Sequence, residues 1–206
     1  MFGVSVIFIN KPHNGRSMSF FNDTKNAGLL LLIIAVVELI AAAIIAFVID
    51  GGVAESTKKI LIMVGAVVAA LIEVLLGLDI MRGKCRMNIM GLFGDVTTKF
   101  GVLVALNAGM GLANLVAGIF YTVALGAGGV SGIVLGLIML IFAYLMVNGG
   151  SSSKKVIWII LLVVYILGLI FSIMAAFVLI GIPDLLMYIM LLTFVLSSEV
   201  KSKMDV

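Results

Sequence analysis

The chain has 206 residues, of which 64% are hydrophobic and only 11% are charged. Soluble domains are roughly 45–50% apolar and about 25% charged, so this composition excludes a soluble globular domain and a disordered chain. A single cysteine excludes a disulfide scaffold. The class that remains is an all-α, polytopic integral membrane protein.

The formal net charge of +3 does not indicate a nucleic-acid partner. The basic residues are scattered at the ends of apolar segments, where they match anionic lipid headgroups. No basic run contains interleaved aromatic residues. The expected partner is therefore the lipid bilayer, and a second copy of the chain or another membrane protein is a further candidate.

Residues 1–27 precede the first long apolar run and are predicted to form a cytoplasmic tail. The segment 2–9 is apolar but too short to cross a membrane, and it lacks the basic start and the cleavage site of a signal peptide. Two interpretations remain: an over-extended start, with the true start at Met18, or an anchor in the membrane interface. The first is favoured.

Six apolar runs, bounded by charge, glycine or proline, predict six transmembrane helices in one domain, 28–198. The runs are 28–49, 60–80, 101–124, 130–147, 156–179 and 183–198. The fourth and sixth are short for a span, which needs about 20 residues, so a broken or re-entrant last third is an alternative. Pro183 and Asp184 suit the first turn of the sixth helix. Residues 199–206 form a second tail.

The distribution of lysine and arginine favours six spans and predicts their orientation. Under six spans, one side of the membrane receives Lys11, Arg16, Lys25, Arg82, Lys84, Arg86, Lys99, Lys154, Lys155, Lys201 and Lys203. The other side receives only Lys58 and Lys59. Cytoplasmic segments are enriched in these residues. We therefore expect three helical hairpins in series, both termini in the cytoplasm, and a multi-pass location in the cell membrane.

Two carboxyl groups lie well inside predicted spans, away from the span ends. Glu38 is near the middle of span 1 and Glu73 is about two turns from the cytoplasmic end of span 2. Spans 1 and 2 are expected to be antiparallel neighbours, so the two groups fall at a similar depth and could face each other. A bare buried anion costs several kcal/mol. The pair therefore predicts either a shared proton in a proton or cation pathway, or two neutral groups that hydrogen-bond neighbouring helices.

Span 3 combines two helix faces of different character. One is a face of small residues at every fourth position, which predicts close helix packing; it consists of Gly101, Ala105, Gly109, Ala113 and Ala117. The other carries Asn107, Gly111, Asn114 and Gly118. The two asparagines either line a solute path or join helices by bonding to the glutamates, because amide groups in lipid need partners.

Few other residues indicate chemistry. Tyr165 lies in mid-span, where its hydroxyl needs a partner, and it is a further pathway candidate. No catalytic motif is present, so an enzyme is not expected. With one histidine and one cysteine, no metal site and no cofactor are expected.

The leading hypothesis is a small channel or transporter. It would move a proton, cation or small solute through a polar path near Glu38 and Glu73, with Asn107, Asn114 and Tyr165 along the path. The alternative is a non-transporting assembly or accessory subunit, which would pack against a partner or itself through the small-residue face of span 3.

Overall fold

The computed structural model describes residues 20–47, 56–85, 95–176 and 181–206. These residues form helices and connecting turns, with no strand among them, and so confirm the all-α prediction. The helices are α1 (Thr24–Phe47), α2 (Ser56–Arg82), α3 (Lys99–Leu125), α4 (Ala127–Asn148), α5 (Ser151–Ala176), α6 (Ile182–Val195) and α7 (Ser198–Lys203). The predicted tail before residue 20, including Met18, lies outside the described residues.

Five of these helices, α1 to α5, are long and apolar enough to cross a membrane. They fit a membrane-embedded protein and correspond to the first five predicted spans. α6 has 14 residues and is therefore about 21 Å long, against a hydrocarbon core of about 30 Å. The sixth predicted span, 183–198, is thus a shorter helix. It ends early because the Ser197 side chain accepts a hydrogen bond from Val200 N (3.4 Å) and caps a separate helix, α7.

α3 begins at a turn that its own sequence specifies. Thr98 Oγ1 accepts a hydrogen bond from Gly101 N (3.0 Å) and caps the helix. Asp95 accepts hydrogen bonds from the backbone and the side chain of Thr97, which lower the pKa of the Asp95 carboxyl. A side chain at Gly101 would collide with the backbone oxygen of Asp95, so this glycine is needed by the turn itself.

α3 and α4 form a hairpin in which one backbone packs directly on the other. Gly126 alone separates the helices and has a φ of 66°, a conformation that glycine adopts without steric cost. A Cβ atom on Gly118 would lie 2.5 Å from Ile133 N, and one on Gly136 would lie 2.6 Å from Leu115 N. Only glycine permits this approach, which is the physical basis of small-residue helix packing in membranes.

The other helices surround α3, which is the most buried of the long helices. α1 packs against α2, where Gly28 and Gly77 meet backbone to backbone. α2 packs against α3. α5 packs against α6, and Trp158 Nε1 donates a hydrogen bond to Val195 O (2.9 Å). α5 touches α4 only sparsely, which leaves a gap on that side of the bundle.

Three interactions bring distant parts of the chain to one end of the bundle. Lys99 Nζ donates to Asn22 Oδ1 (2.8 Å), which joins the start of α3 to the residues before α1. Phe100 N donates to Glu199 Oε1 (3.0 Å), which joins α3 to α7. The bond from Trp158 places the start of α5 at the same end. The described residues nearest the two chain termini therefore lie at a common end, called here the terminal end.

Candidate functional site

The carboxyl groups of Glu38 and Glu73 meet between α1 and α2. They are hydrogen-bonded to each other, although the sequence could not determine whether the two helices turn these faces together. Glu73 is only 3% exposed, and its Oε2 atom is buried without a hydrogen-bond partner. Because an ionised carboxylate only accepts hydrogen bonds, a bond between two carboxyl groups requires a proton on one of them.

A third carboxyl group, that of Asp184, belongs to the same site. Its charge acts on both Glu38 and Glu73. Asp184 lies in the first turn of α6, about 17 Å along the helix from Val195 at the terminal end. Glu38 lies about 21 Å along α1 from Thr24 at that same end. α6 therefore begins at the depth of the glutamates, well inside the bundle.

Asp184 was not included in the site predicted from the sequence. It follows Pro183 at the start of the sixth predicted helix and was therefore assigned to the membrane edge. The signal that could have revealed it was the length of the last apolar run, 183–198, which is short for a full crossing. Among the described residues, the charged groups that act on Glu38 and Glu73 are all acidic. No group of three metal-binding side chains is close enough to hold a metal ion in the described part of the chain.

A cavity of about 470 Å³ lies between α1, α3, α4, α5 and α6. Four of the five predicted pathway residues line it: Glu38, Asn107, Asn114 and Tyr165. Glu73 does not line the cavity but lies behind Glu38. The cavity also receives three polar side chains that were not predicted for a pathway, namely Asp184, Tyr188 and Ser172. Most of the remaining lining is aliphatic or aromatic.

Asn107 and Tyr165 form a polar contact in one wall of the cavity. Asn107 is 2% exposed, and its Nδ2 donates to Leu103 O (2.8 Å) and to the Tyr165 hydroxyl (2.9 Å). The Tyr165 oxygen accepts this bond, which leaves its own proton to be donated elsewhere. Asn107 therefore positions Tyr165; the role of both residues in a pathway stays a prediction.

Asn114 makes its contacts within the cavity wall. Its Nδ2 donates to Met110 O (2.9 Å) on its own helix and lies 3.9 Å from Met139 Sδ on α4. Both amide protons of Asn107 and both of Asn114 are thus directed at groups other than the glutamates. The sequence left open that these amides join helices by bonding to Glu38 or Glu73. The structure does not show that arrangement.

The small-residue face of α3 lies inside the chain. Its members Gly101, Ala105, Gly109 and Ala113 are buried, and Ala117 is partly buried. The backbone-to-backbone contact with α4 is made instead by Gly111 and Gly118, which the sequence placed on the asparagine face. Asn114 therefore lies on the same face of α3 as the glycines that contact α4. This one face both packs against α4 and lines the cavity.

The chain matches no protein-family model, no curated protein and no solved structure.

Proposed function

We propose that this chain is a small membrane transporter in which Glu38 and Glu73 take up and release a proton or a small cation. The observation that supports the proposal is the carboxyl–carboxyl hydrogen bond between the buried Glu73 and Glu38, which faces a cavity with several polar side chains in its lining. Intramembrane carboxyl groups are expensive, and they commonly mark ion pathways. The pair holds a proton between two oxygens, and Glu38 connects that proton to the cavity.

Asp184 extends this site into the cavity. Both Asp184 and Glu38 face the cavity, and the lining residues that the structure describes include no lysine, arginine or histidine. A proton or monovalent cation that enters the cavity therefore meets two carboxyl groups and no competing positive charge. Attraction of this kind is strong inside a bundle, because the surroundings screen charge far less than water does.

The proposal includes the predicted topology, with six membrane segments, both termini in the cytoplasm and a location in the cell membrane. α6 would be the sixth segment, reaching from the depth of Asp184 to the terminal end. The described basic residues support this orientation. Those of the terminal end are Lys25, Arg82, Lys84, Lys99, Lys154, Lys155, Lys201 and Lys203, and those of the opposite end are Lys58 and Lys59. Such an excess is typical of the cytoplasmic side.

The alternative of an assembly subunit is supported less well. It requires the small-residue face of span 3 to be available to a partner. In the structure α2 and α4 cover α3, and Ala105, Gly109 and Ala113 on that face are buried within the chain. An association through this face would first require the bundle to open.

Proton flux in proteoliposomes tests the proposal. Wild-type protein should dissipate an imposed pH gradient, whereas Glu38→Gln and Glu73→Gln should each reduce the rate at least ten-fold, because an amide cannot take part in proton exchange. Glu199→Gln is the matched control, since it makes the same change at the terminal end, far from the cavity. Normal rates in both Glu38→Gln and Glu73→Gln, or a wild-type rate equal to that of empty liposomes, would reject the mechanism.

A further inference from the structure

We propose that the cavity binds an amphipathic organic cation, meaning an ammonium or comparable cationic group attached to an apolar body. The cation enters from the bilayer between α4 and α5 and displaces the proton of the Glu38–Glu73 pair. This inference rests on the proposed function and names the substrate class of the same site.

The chemistry of the lining selects for such a molecule. The cavity volume of about 470 Å³ falls within the range of organic-ligand pockets, about 300–1,000 Å³, and is far larger than a bare proton or metal ion requires. The charged groups among the described lining residues are the carboxyls of Glu38 and Asp184. A small hydrated ion would gain nothing from the extensive apolar wall, whereas an apolar body would remove that wall from water.

Aromatic rings provide a second contact for a cation. The rings that line the cavity are those of Phe142, Tyr165, Phe171 and Tyr188. The rings of Tyr165 and Tyr188 lie 6.4 Å apart between their centroids, at an angle of 54°. Aromatic faces attract organic cations, and this attraction is the usual means of recognising quaternary ammonium groups. An organic anion would meet the same rings and two carboxyl groups, and would be repelled.

The position of the cavity gives a route from the lipid. Four of its lining side chains, Leu135 and Ile138 on α4 and Val164 and Phe171 on α5, are also exposed at the surface of the bundle; Phe171 is 66% exposed. α4 and α5 contact each other sparsely, so the cavity reaches the outside between them. Because this surface is apolar and belongs to spanning helices, the phase outside it is the hydrocarbon of the bilayer.

The displaced proton follows from charge balance. The cation approaches Glu38 and Asp184, and the O–H bond of the Glu38–Glu73 pair breaks, with the proton passing to water. One positive charge enters and one leaves. Among the described residues, the ionisable groups that interact electrostatically with Glu38 are Glu73 on α2, Tyr121 on α3, and Asp184 and Tyr188 on α6. Tyr165 lines the cavity on α5. None of these side chains carries a positive charge, so none of them can neutralise the carboxylates in place of the bound cation.

The test uses the purified full chain in detergent and two probes of the same shape and opposite charge, tetraphenylphosphonium and tetraphenylborate. Tetraphenylphosphonium carries no proton, so any proton released on binding comes from the protein. Equilibrium dialysis measures affinity, and a pH indicator in weakly buffered solution measures proton release. The variants are Glu38→Gln and Asp184→Asn, with Glu199→Gln as the control.

We expect tetraphenylphosphonium to bind at least ten-fold more tightly than tetraphenylborate, with release of about one proton per cation bound; cation binding without proton release would overturn the displacement step. Glu38→Gln and Asp184→Asn should each weaken cation binding at least ten-fold, and Glu199→Gln should not. Equal affinity for both probes, or cation binding that is unchanged in Glu38→Gln and Asp184→Asn, would overturn the inference. Glu38-dependent proton flux without cation binding would overturn it while leaving the proposed function intact. Charge-selective binding without proton flux would instead reject the proposed function.

Discussion

Glu73→Met is predicted to stabilise the protein while abolishing the proposed proton transport. Glu73 is almost completely buried and its Oε2 atom has no hydrogen-bond partner. An unsatisfied buried polar group costs about 1–3 kcal/mol. Methionine has a similar length, no polar oxygen and enough flexibility to fill an irregular space. The substitution therefore removes the destabilising atom without leaving a large cavity.

The size of the effect follows from two opposing contributions. Removing the unpartnered oxygen contributes about 2 kcal/mol, the middle of the range for such groups. Losing the hydrogen bond to Glu38 costs about 1 kcal/mol. Glu38 is exposed in the cavity, so it is not left buried without a partner. The free energy of unfolding should rise by about 1 kcal/mol, which changes the unfolding equilibrium about five-fold.

Reversible unfolding in mixed micelles, followed by circular dichroism at increasing denaturing detergent, measures this change. Leu76→Met is the matched control, because Leu76 is fully buried on the same helix and a leucine-to-methionine change costs less than about 1.5 kcal/mol. A Glu73→Met variant that is less stable than the wild type would refute the reasoning, since it would show that Glu73 stabilises the bundle.

Two further predictions concern helix packing and the cavity wall. Gly118→Leu should lower the free energy of unfolding by at least about 2 kcal/mol, because its Cβ would meet Ile133 N at 2.5 Å and the overlap separates the α3–α4 hairpin. Gly128→Ala, whose Cβ meets only ordinary contacts, should change it by less than about 0.5 kcal/mol. Tyr165→Phe should cost about 1 kcal/mol through loss of the hydrogen bond to Asn107. The same unfolding assay checks all three, and a stable Gly118→Leu or a neutral Tyr165→Phe would contradict these contacts.

The composition and the long apolar runs predicted the helical class and the five long helices, because hydropathy sets the position of each helix along the chain. Helix rotation is set instead by packing against neighbours. The sequence could therefore place Glu38 and Glu73 at a matched depth, and the structure supplied their contact. For the same reason, the glycines that contact α4 could not be distinguished from the small residues on the other faces of α3.

The last third of the chain shows a different limit. The residues 183–198 are continuously apolar, so hydropathy predicts one helix there. The helix stops earlier because the Ser197 side chain accepts a hydrogen bond from the backbone of Val200 and begins α7. Hydropathy indicates only that this run is short for a full crossing, and not which of its ends lies deep in the bundle. Both effects depend on how α5 and α6 pack, and together they place Asp184 beside the glutamates rather than at a membrane surface.

The shared proton of Glu38 and Glu73 is the central claim, and infrared spectroscopy of the reconstituted protein tests it most directly. The carbonyl stretch of a protonated carboxyl group is distinct from that of a carboxylate, and exchange into heavy water shifts it. We predict a protonated-carboxyl band in the wild type and in Glu199→Gln. Glu73→Gln should lose the band, because the amide can donate to a Glu38 carboxylate that faces the cavity, whereas Glu38→Gln should shift it, because the buried Glu73 keeps its proton and donates it to the amide oxygen. A band that persists unchanged in both variants, or no such band in the wild type, would contradict the account.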